Sequence, residues 1–94
     1  MDVNFSPQSQ KDLDEIHDYI AADSPERALS WIRQIETACT SLSEAPLLGT
    51  PLAIGLRHVR ATTYGNYVIY YRVRDDQVDI LRVVHGARRP LGSL

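Results

Sequence analysis

Ninety-four residues, 44% apolar and 23% charged, fit one globular domain and exclude both a disordered chain and a second core. The single cysteine, Cys39, excludes a disulfide framework and a cysteine-based zinc site and fits a reducing cytosol, and short apolar runs predict neither a membrane span nor a signal peptide. The formal charge of −2 is unevenly spread: residues 1–50 sum to −6, whereas residues 51–94 carry seven arginines and sum to +4.

Residues 2–5 read as a short extended lead-in in which Val3 and Phe5 alternate with polar neighbours. Ser6-Pro7 follows, a capping hydroxyl and a proline suited to the first helical position. Leu13, Ile16 and Ile20 then recur at helical spacing, with Tyr19 beside them, and predict a helix from Pro7 to Ala22. Ser24-Pro25 repeats the punctuation and opens a second helix, which runs to about Glu44. Its stripe of Ala28, Ile32, Ile35, Cys39 and Leu42 is widened by Leu29, Trp31 and Ala38 to nearly half the circumference. A helix that apolar should touch two neighbours, the first helix and a sheet.

Residues 46–55 hold two prolines and two glycines and read as a loop, after which the pattern changes from helical to alternating. Strands are predicted at Leu56 to Thr62, Tyr67 to Arg74 and Gln77 to His85, with turns at Tyr64-Gly65-Asn66 and Asp75-Asp76. A two-residue turn pairs Val73 with Val78, Arg72 with Asp79, Tyr71 with Ile80, Tyr70 with Leu81 and Ile69 with Arg82. That register leaves a mixed face of Val68, Tyr70, Arg72, Arg74, Leu81, Val83 and His85. The expected architecture is α+β: an N-terminal strand, a two-helix hairpin, then a three-stranded antiparallel meander, with residues 86–94 a basic tail.

Chemical motifs are sparse. His17, His58 and His85 show no metal-ligand spacing, neither standard phosphate-binding glycine motif occurs, and no nucleophile elbow is present. Cys39 lies in an apolar stripe and reads as core. The residues left to act are Arg57, Arg60, Arg72, Arg74, Arg82, Arg88, Arg89 and His85. Every basic group of this half is the type suited to fixed contacts with carboxylate or phosphate. His85 with an arginine offers the rudiments of metal-free RNA cleavage, against the plainer reading of a strand-end histidine. The arginines are expected to share one docking face for a macromolecule.

The ordered set Asp12-Leu13-x-x-Ile16, Tyr19-Ile20, Ser24-Pro25, Leu56-Arg57, Tyr67-x-Ile69-x-Tyr71-Arg72-Val73 and Ile80-Leu81-Arg82-Val83-Val84-His85-Gly86-x-Arg88 resembles the ParE branch of the ParE/RelE toxins. The resemblance implies a cytoplasmic toxin that binds and poisons DNA gyrase without catalytic residues, cofactor or metal. Its target contacts would lie among Arg57, Arg60, Arg82, His85, Arg88 and Arg89. It also implies a ParD-like antitoxin seated on Leu13, Ile16, Ile20, Trp31, Tyr70, Arg72, Arg74 and Leu81. The RelE branch, ribosome-dependent messenger-RNA nucleases, is the alternative, and an inactive interaction module is a third. Against the nuclease stand the lack of lysine beyond Lys11, Val68 where those enzymes carry arginine, and the absence of an aromatic residue after Tyr71.

Overall fold

A computed structural model describes residues 1–54 and 57–88. The elements in chain order are β1 (Asp2–Phe5), α1 (Pro7–Ala21), α2 (Pro25–Thr40), β2 (Thr50–Ile54), β3 (Arg57–Tyr64), β4 (Tyr67–Arg74) and β5 (Gln77–His85). Single 3₁₀ turns lie at Ser41–Ser43 and Gly86–Arg88. The predicted end of α2 near Glu44 is thus a tightened last turn, a common way for a helix to finish.

Both helices start as their punctuation predicts. The Ser6 hydroxyl accepts the Ser9 N–H at 3.0 Å, the Ser24 hydroxyl accepts the Arg27 N–H at 3.2 Å, and a proline follows each cap. On α2, Ala28, Ile35 and Cys39 are fully buried and Trp31 packs at the margin of the core, but Leu29 is 48% exposed and does not join the stripe.

The sheet has five strands in the order β1-β5-β4-β3-β2, mixed because β1 runs parallel to β5 while every other pair is antiparallel. The meander was expected with three strands, but part of the predicted loop is β2, which pairs with β3 from Thr50↔Ala61 to Ile54↔Arg57. Its Pro51 hid it from a propensity reading, yet proline is tolerated on an edge strand, and β2 is an edge. The residues on either side of β4 turn tightly: Gly65 adopts φ 58° and Asp75 φ 53°, a left-handed conformation that glycine and aspartate enter at least cost.

The β4–β5 register agrees with expectation at Val73↔Val78, Arg72↔Asp79 and Tyr71↔Ile80, then slips by one residue. Tyr70 faces Arg82, Ile69 faces Val83, and Leu81 is the extra residue of a bulge. Because strand faces alternate, one inserted residue reverses everything beyond it. Val83 therefore enters the core beneath the helices instead of the opposite face, and His85 pairs with the helix-side Tyr67.

The main core lies between the helical hairpin and the sheet. It comprises Leu13, Ile35, Cys39, Leu42, Ile69, Tyr71, Val78, Ile80 and Val83. Burying an aliphatic side chain as completely as Ile35, Ile69 or Ile80 contributes about 2 kcal/mol each. A smaller cluster of Val59, Val68 and Tyr70 occupies the other sheet face, with Leu52, Ala61, Leu81 and Val84 beside it.

Candidate functional site

Where β1 ends, β5 continues without a neighbour on that edge: the last β1 pair is Phe5↔Ile80. Polar groups at the start of α1 take over the open ladder. The Ser6 N–H and hydroxyl donate to the carbonyls of Ile80 and Leu81, each at 3.0 Å. Asp12 Oδ2 then accepts the Val83 N–H at 2.9 Å and the Arg82 Nε–H at 2.8 Å, while its Oδ1 accepts Arg82 Nη2 at 3.2 Å and Gln8 Nε2 at 3.1 Å. The Asp12 side chain is 6% exposed and that of Arg82 21%. One carboxylate therefore pins α1 to the bulge, and its hydrogen bonds raise the affinity of the Arg82 guanidinium for its proton.

Above this pin lies a groove of about 660 Å³ between α1, the β3–β4 turn and the end of β5. Asp12, Glu15, Ile16 and Tyr19 line it from α1, Asn66 from the β3–β4 turn, Tyr67 from the start of β4, and Arg82, Val83, Val84 and His85 from β5. Tyr67 is its aromatic floor, 5.1 Å from the Trp31 ring and edge-on to His85 at 5.5 Å. Burial, with Tyr19 nearby, pushes the Tyr67 hydroxyl pKa up, so it stays a neutral hydrogen-bonding group. His85 is exposed, and its Nδ1 accepts the Ala87 N–H at 3.2 Å.

A second construction holds the loop before β2. The Tyr71 hydroxyl donates to the Pro46 carbonyl at 2.9 Å and accepts the Gly49 N–H at 2.8 Å. Arg60 Nη1 donates to the carbonyls of Gly49 at 2.8 Å and Leu47 at 3.3 Å. The loop so fastened displays Leu47 and Leu48, 67% and 68% exposed.

The third polar cluster lies on the opposite sheet face. Asp79, nearly buried, accepts Arg74 Nε at 2.9 Å and Gln77 Nε2 at 2.8 Å, with Arg72 Nε 3.5 Å away. Burial alone would raise the Asp79 carboxyl, but the Arg74 and Gln77 hydrogen bonds and the two guanidinium charges outweigh it, and its pKa is lowered. A carboxylate held below its unfolded value of about 3.9 contributes stability that is fully present above that pH and is lost as pH falls through the folded value. Urea melts of wild type and Asp79→Asn should therefore differ most near neutral pH and converge in acid. A stability gap that stays constant down to the acid transition would refute this linkage.

The expected single arginine face is not what the strands produce. Arg82 is bound to α1, Arg60 to the loop on the helix side of the sheet, and Arg72 and Arg74 to Asp79 on the other side. Strand alternation dictates this, since Arg60 is paired with the helix-facing Tyr71 whereas Arg72 and Arg74 alternate with it. Arg89 and the side chains of Arg57 and Arg88 lie outside the described residues. Of the residues expected to meet a partner, Leu13 at 8% and Tyr70 at 2% exposure are interior and cannot offer a surface in this arrangement. Ile16, Ile20, Trp31 and Leu81 are half-buried, and Ile16 joins Arg82 and His85 in the groove.

The sequence sets Tyr19 beside the apolar stripe of α1 and Asp12 within the family motif, but assigns neither a place in a site. A signal for Asp12 existed, since positions three before it and four after it are Ser9, fully buried here, and Ile16, which places an acid on the apolar side of α1. Burial, reinforced by the Glu36 charge, pushes the Cys39 thiol up to about 12, so it is not poised as a nucleophile. Among the described residues no three histidine, cysteine or acidic side chains gather as metal ligands, and no helix is long and apolar enough to cross a membrane.

Two helices over a five-stranded mixed sheet match the fold of solved ParE/RelE-type toxins. The profile of the ParE toxin of the type II toxin–antitoxin system parDE matches residues 3–90, and the chain belongs to that family. The toxin RelE2 of Caulobacter vibrioides is 39% identical over 77 residues, covering 82% of this chain and 85% of the relative. The solved chromosomal ParDE toxin–antitoxin system from P. aeruginosa superposes with a TM-score of 0.76 at 25% identity, over 90% of this chain and 95% of that one. The toxin–antitoxin complex RelBE2 of Mycobacterium tuberculosis gives a TM-score of 0.62 at 32% identity, over 89% and 95%.

Proposed function

We propose that this toxin arrests growth by binding DNA gyrase in the cytoplasm and holding its cleaved-DNA intermediate, and that a ParD-like antitoxin silences it. The state of Arg82 carries the reading. Cleaving a phosphodiester without metal needs a free cation for the developing charge and a poised acid and base. Arg82 instead spends Nε and Nη2 on Asp12, and the neighbouring His85 Nδ1 is engaged by the Ala87 N–H. Val68, at the position where RelE-like nucleases carry arginine, is a buried strand residue. A groove organised this way recognises a surface and leaves the bond-breaking to the partner. With Arg60 and Arg82 committed within the chain, target contact falls to His85 and to Arg57, Arg88 and Arg89. Two solved structures that share this fold are toxin–antitoxin systems, which supports an antitoxin as the second partner.

One observation favours the nuclease reading: His85 is exposed in the same groove as Arg82, Tyr19 and Tyr67, and a relative named RelE2 is among the similar proteins. Purified protein separates the two. Inhibition of supercoiling with accumulation of linear DNA is expected in a gyrase assay, with transcripts left intact on translating ribosomes. Cleaved messenger RNA with unaffected supercoiling would overturn the gyrase reading.

A further inference from the structure

Three contacts fix the chain where β5 ends. The Gly86 N–H donates to the Asn66 carbonyl in the β3–β4 turn at 2.8 Å. A Cβ at Gly86 would come within 3.3 Å of that same oxygen, so the close approach suits glycine. One residue further, the Ala87 N–H donates to His85 Nδ1 at 3.2 Å. The imidazole stands edge-on to the Tyr67 ring at 5.5 Å, which holds its plane. Gly86–Arg88 then closes as a single 3₁₀ turn, with Arg88 its last residue.

His85 does here with an imidazole what asparagine and aspartate do in an Asx turn, where a side-chain acceptor takes the N–H two residues on. Accepting at Nδ1 leaves the proton of the neutral ring on Nε2. Among the described residues only Nδ1 has a hydrogen-bond partner. We propose that His85 is a positioning residue: through Nδ1 it sets the backbone of Gly86–Arg88, and so the place from which Arg88 and Arg89 reach gyrase. It acts through those arginines and not by an imidazole contact of its own. A start fixed in advance spares part of the ordering that binding would otherwise have to impose. The inference rests on the gyrase reading above and narrows the role of His85 within it.

Asparagine and glutamine separate the two nitrogens. Asparagine carries an acceptor oxygen on Cγ, where Nδ1 lies, whereas glutamine carries its amide one bond further out, toward the place of Nε2. The full chain and its variants are titrated into a supercoiling assay with purified gyrase. His85→Ala should raise the concentration for half-inhibition about fivefold, the weight of one net hydrogen bond. His85→Asn should restore inhibition to within about twofold of wild type, and His85→Gln should not. Exchange of the Ala87 amide, followed by NMR, should quicken about fivefold in the alanine and glutamine variants and stay slow with asparagine. His85 is exposed at a strand end, so all three variants should fold. Failure of asparagine to restore inhibition overturns the proposal, as does recovery by glutamine, undiminished inhibition by His85→Ala, or an Ala87 exchange rate indifferent to the side chain. A wild-type chain without effect on gyrase would refute the gyrase reading itself and the inference with it, whereas an active wild type with the wrong variant pattern refutes the inference alone.

Discussion

Replacing Asp12 by alanine is expected to destabilise the fold by about 3 kcal/mol, the usual cost of removing one partner from a buried ion pair. The loss has two parts. Arg82 keeps its charge in a site where its side chain is 21% exposed, and the Val83 N–H on the open edge of β5 loses its acceptor. Asp12→Asn should cost less, since an amide oxygen still accepts from Val83 but offers Arg82 no charge. A double replacement, Asp12→Leu with Arg82→Met, should recover part of the deficit by removing both charges together. Urea unfolding of the four proteins provides the measurement. An Asp12→Ala midpoint equivalent to a loss under about 1 kcal/mol would show that the pin is not what holds α1 on the sheet.

Gly49→Ala is the second large effect, for a steric reason. A Cβ at this position would lie 2.7 Å from the Tyr71 hydroxyl, 2.8 Å from its Cε1 and 2.9 Å from the Ala61 carbonyl oxygen. The tyrosine ring is buried and the carbonyl belongs to the sheet, so neither yields easily. A cost of about 2–3 kcal/mol is expected, in the range of overpacked cores. Tyr71→Phe should cost about 1–2 kcal/mol by stranding the buried Gly49 N–H. The two effects should not add, because without the hydroxyl the alanine methyl meets one obstacle fewer. Thermal melts of the single and double variants would show this, and strict additivity would mean that Gly49 and Tyr71 act separately.

What could be read without coordinates follows from how local each signal is. The Ser-Pro starts of both helices and the full spans of β4 and β5 were legible because caps, turns and alternation are encoded within a few residues. The edge strand β2 was not, because Pro51 argues against a strand unless its edge position is known. The bulge at Tyr70/Tyr71 was invisible for a related reason: a two-residue turn sets the register only until something interrupts it. That slip moved Val83 and His85 across the sheet and so changed the site. Arg82 could be recognised as chemically important, but its partner is 70 residues away, and no periodicity reports such a pairing. Tyr71 was legible as core packing, while its hydroxyl's hold on the Pro46–Gly49 loop was not.

The parallel pairing of β1 with β5 has a consequence for when the molecule is complete. Ser6 waits for a hydrogen-bonding partner 75 residues downstream, and Asp12 for one 71 residues downstream. During translation the amino-terminal segment therefore emerges with its ladder vacant and its hairpin without a platform. A ribosome that stalls before β5 releases a fragment missing the pinned groove altogether. The groove is therefore complete only at the end of synthesis, an order of events written into the strand order.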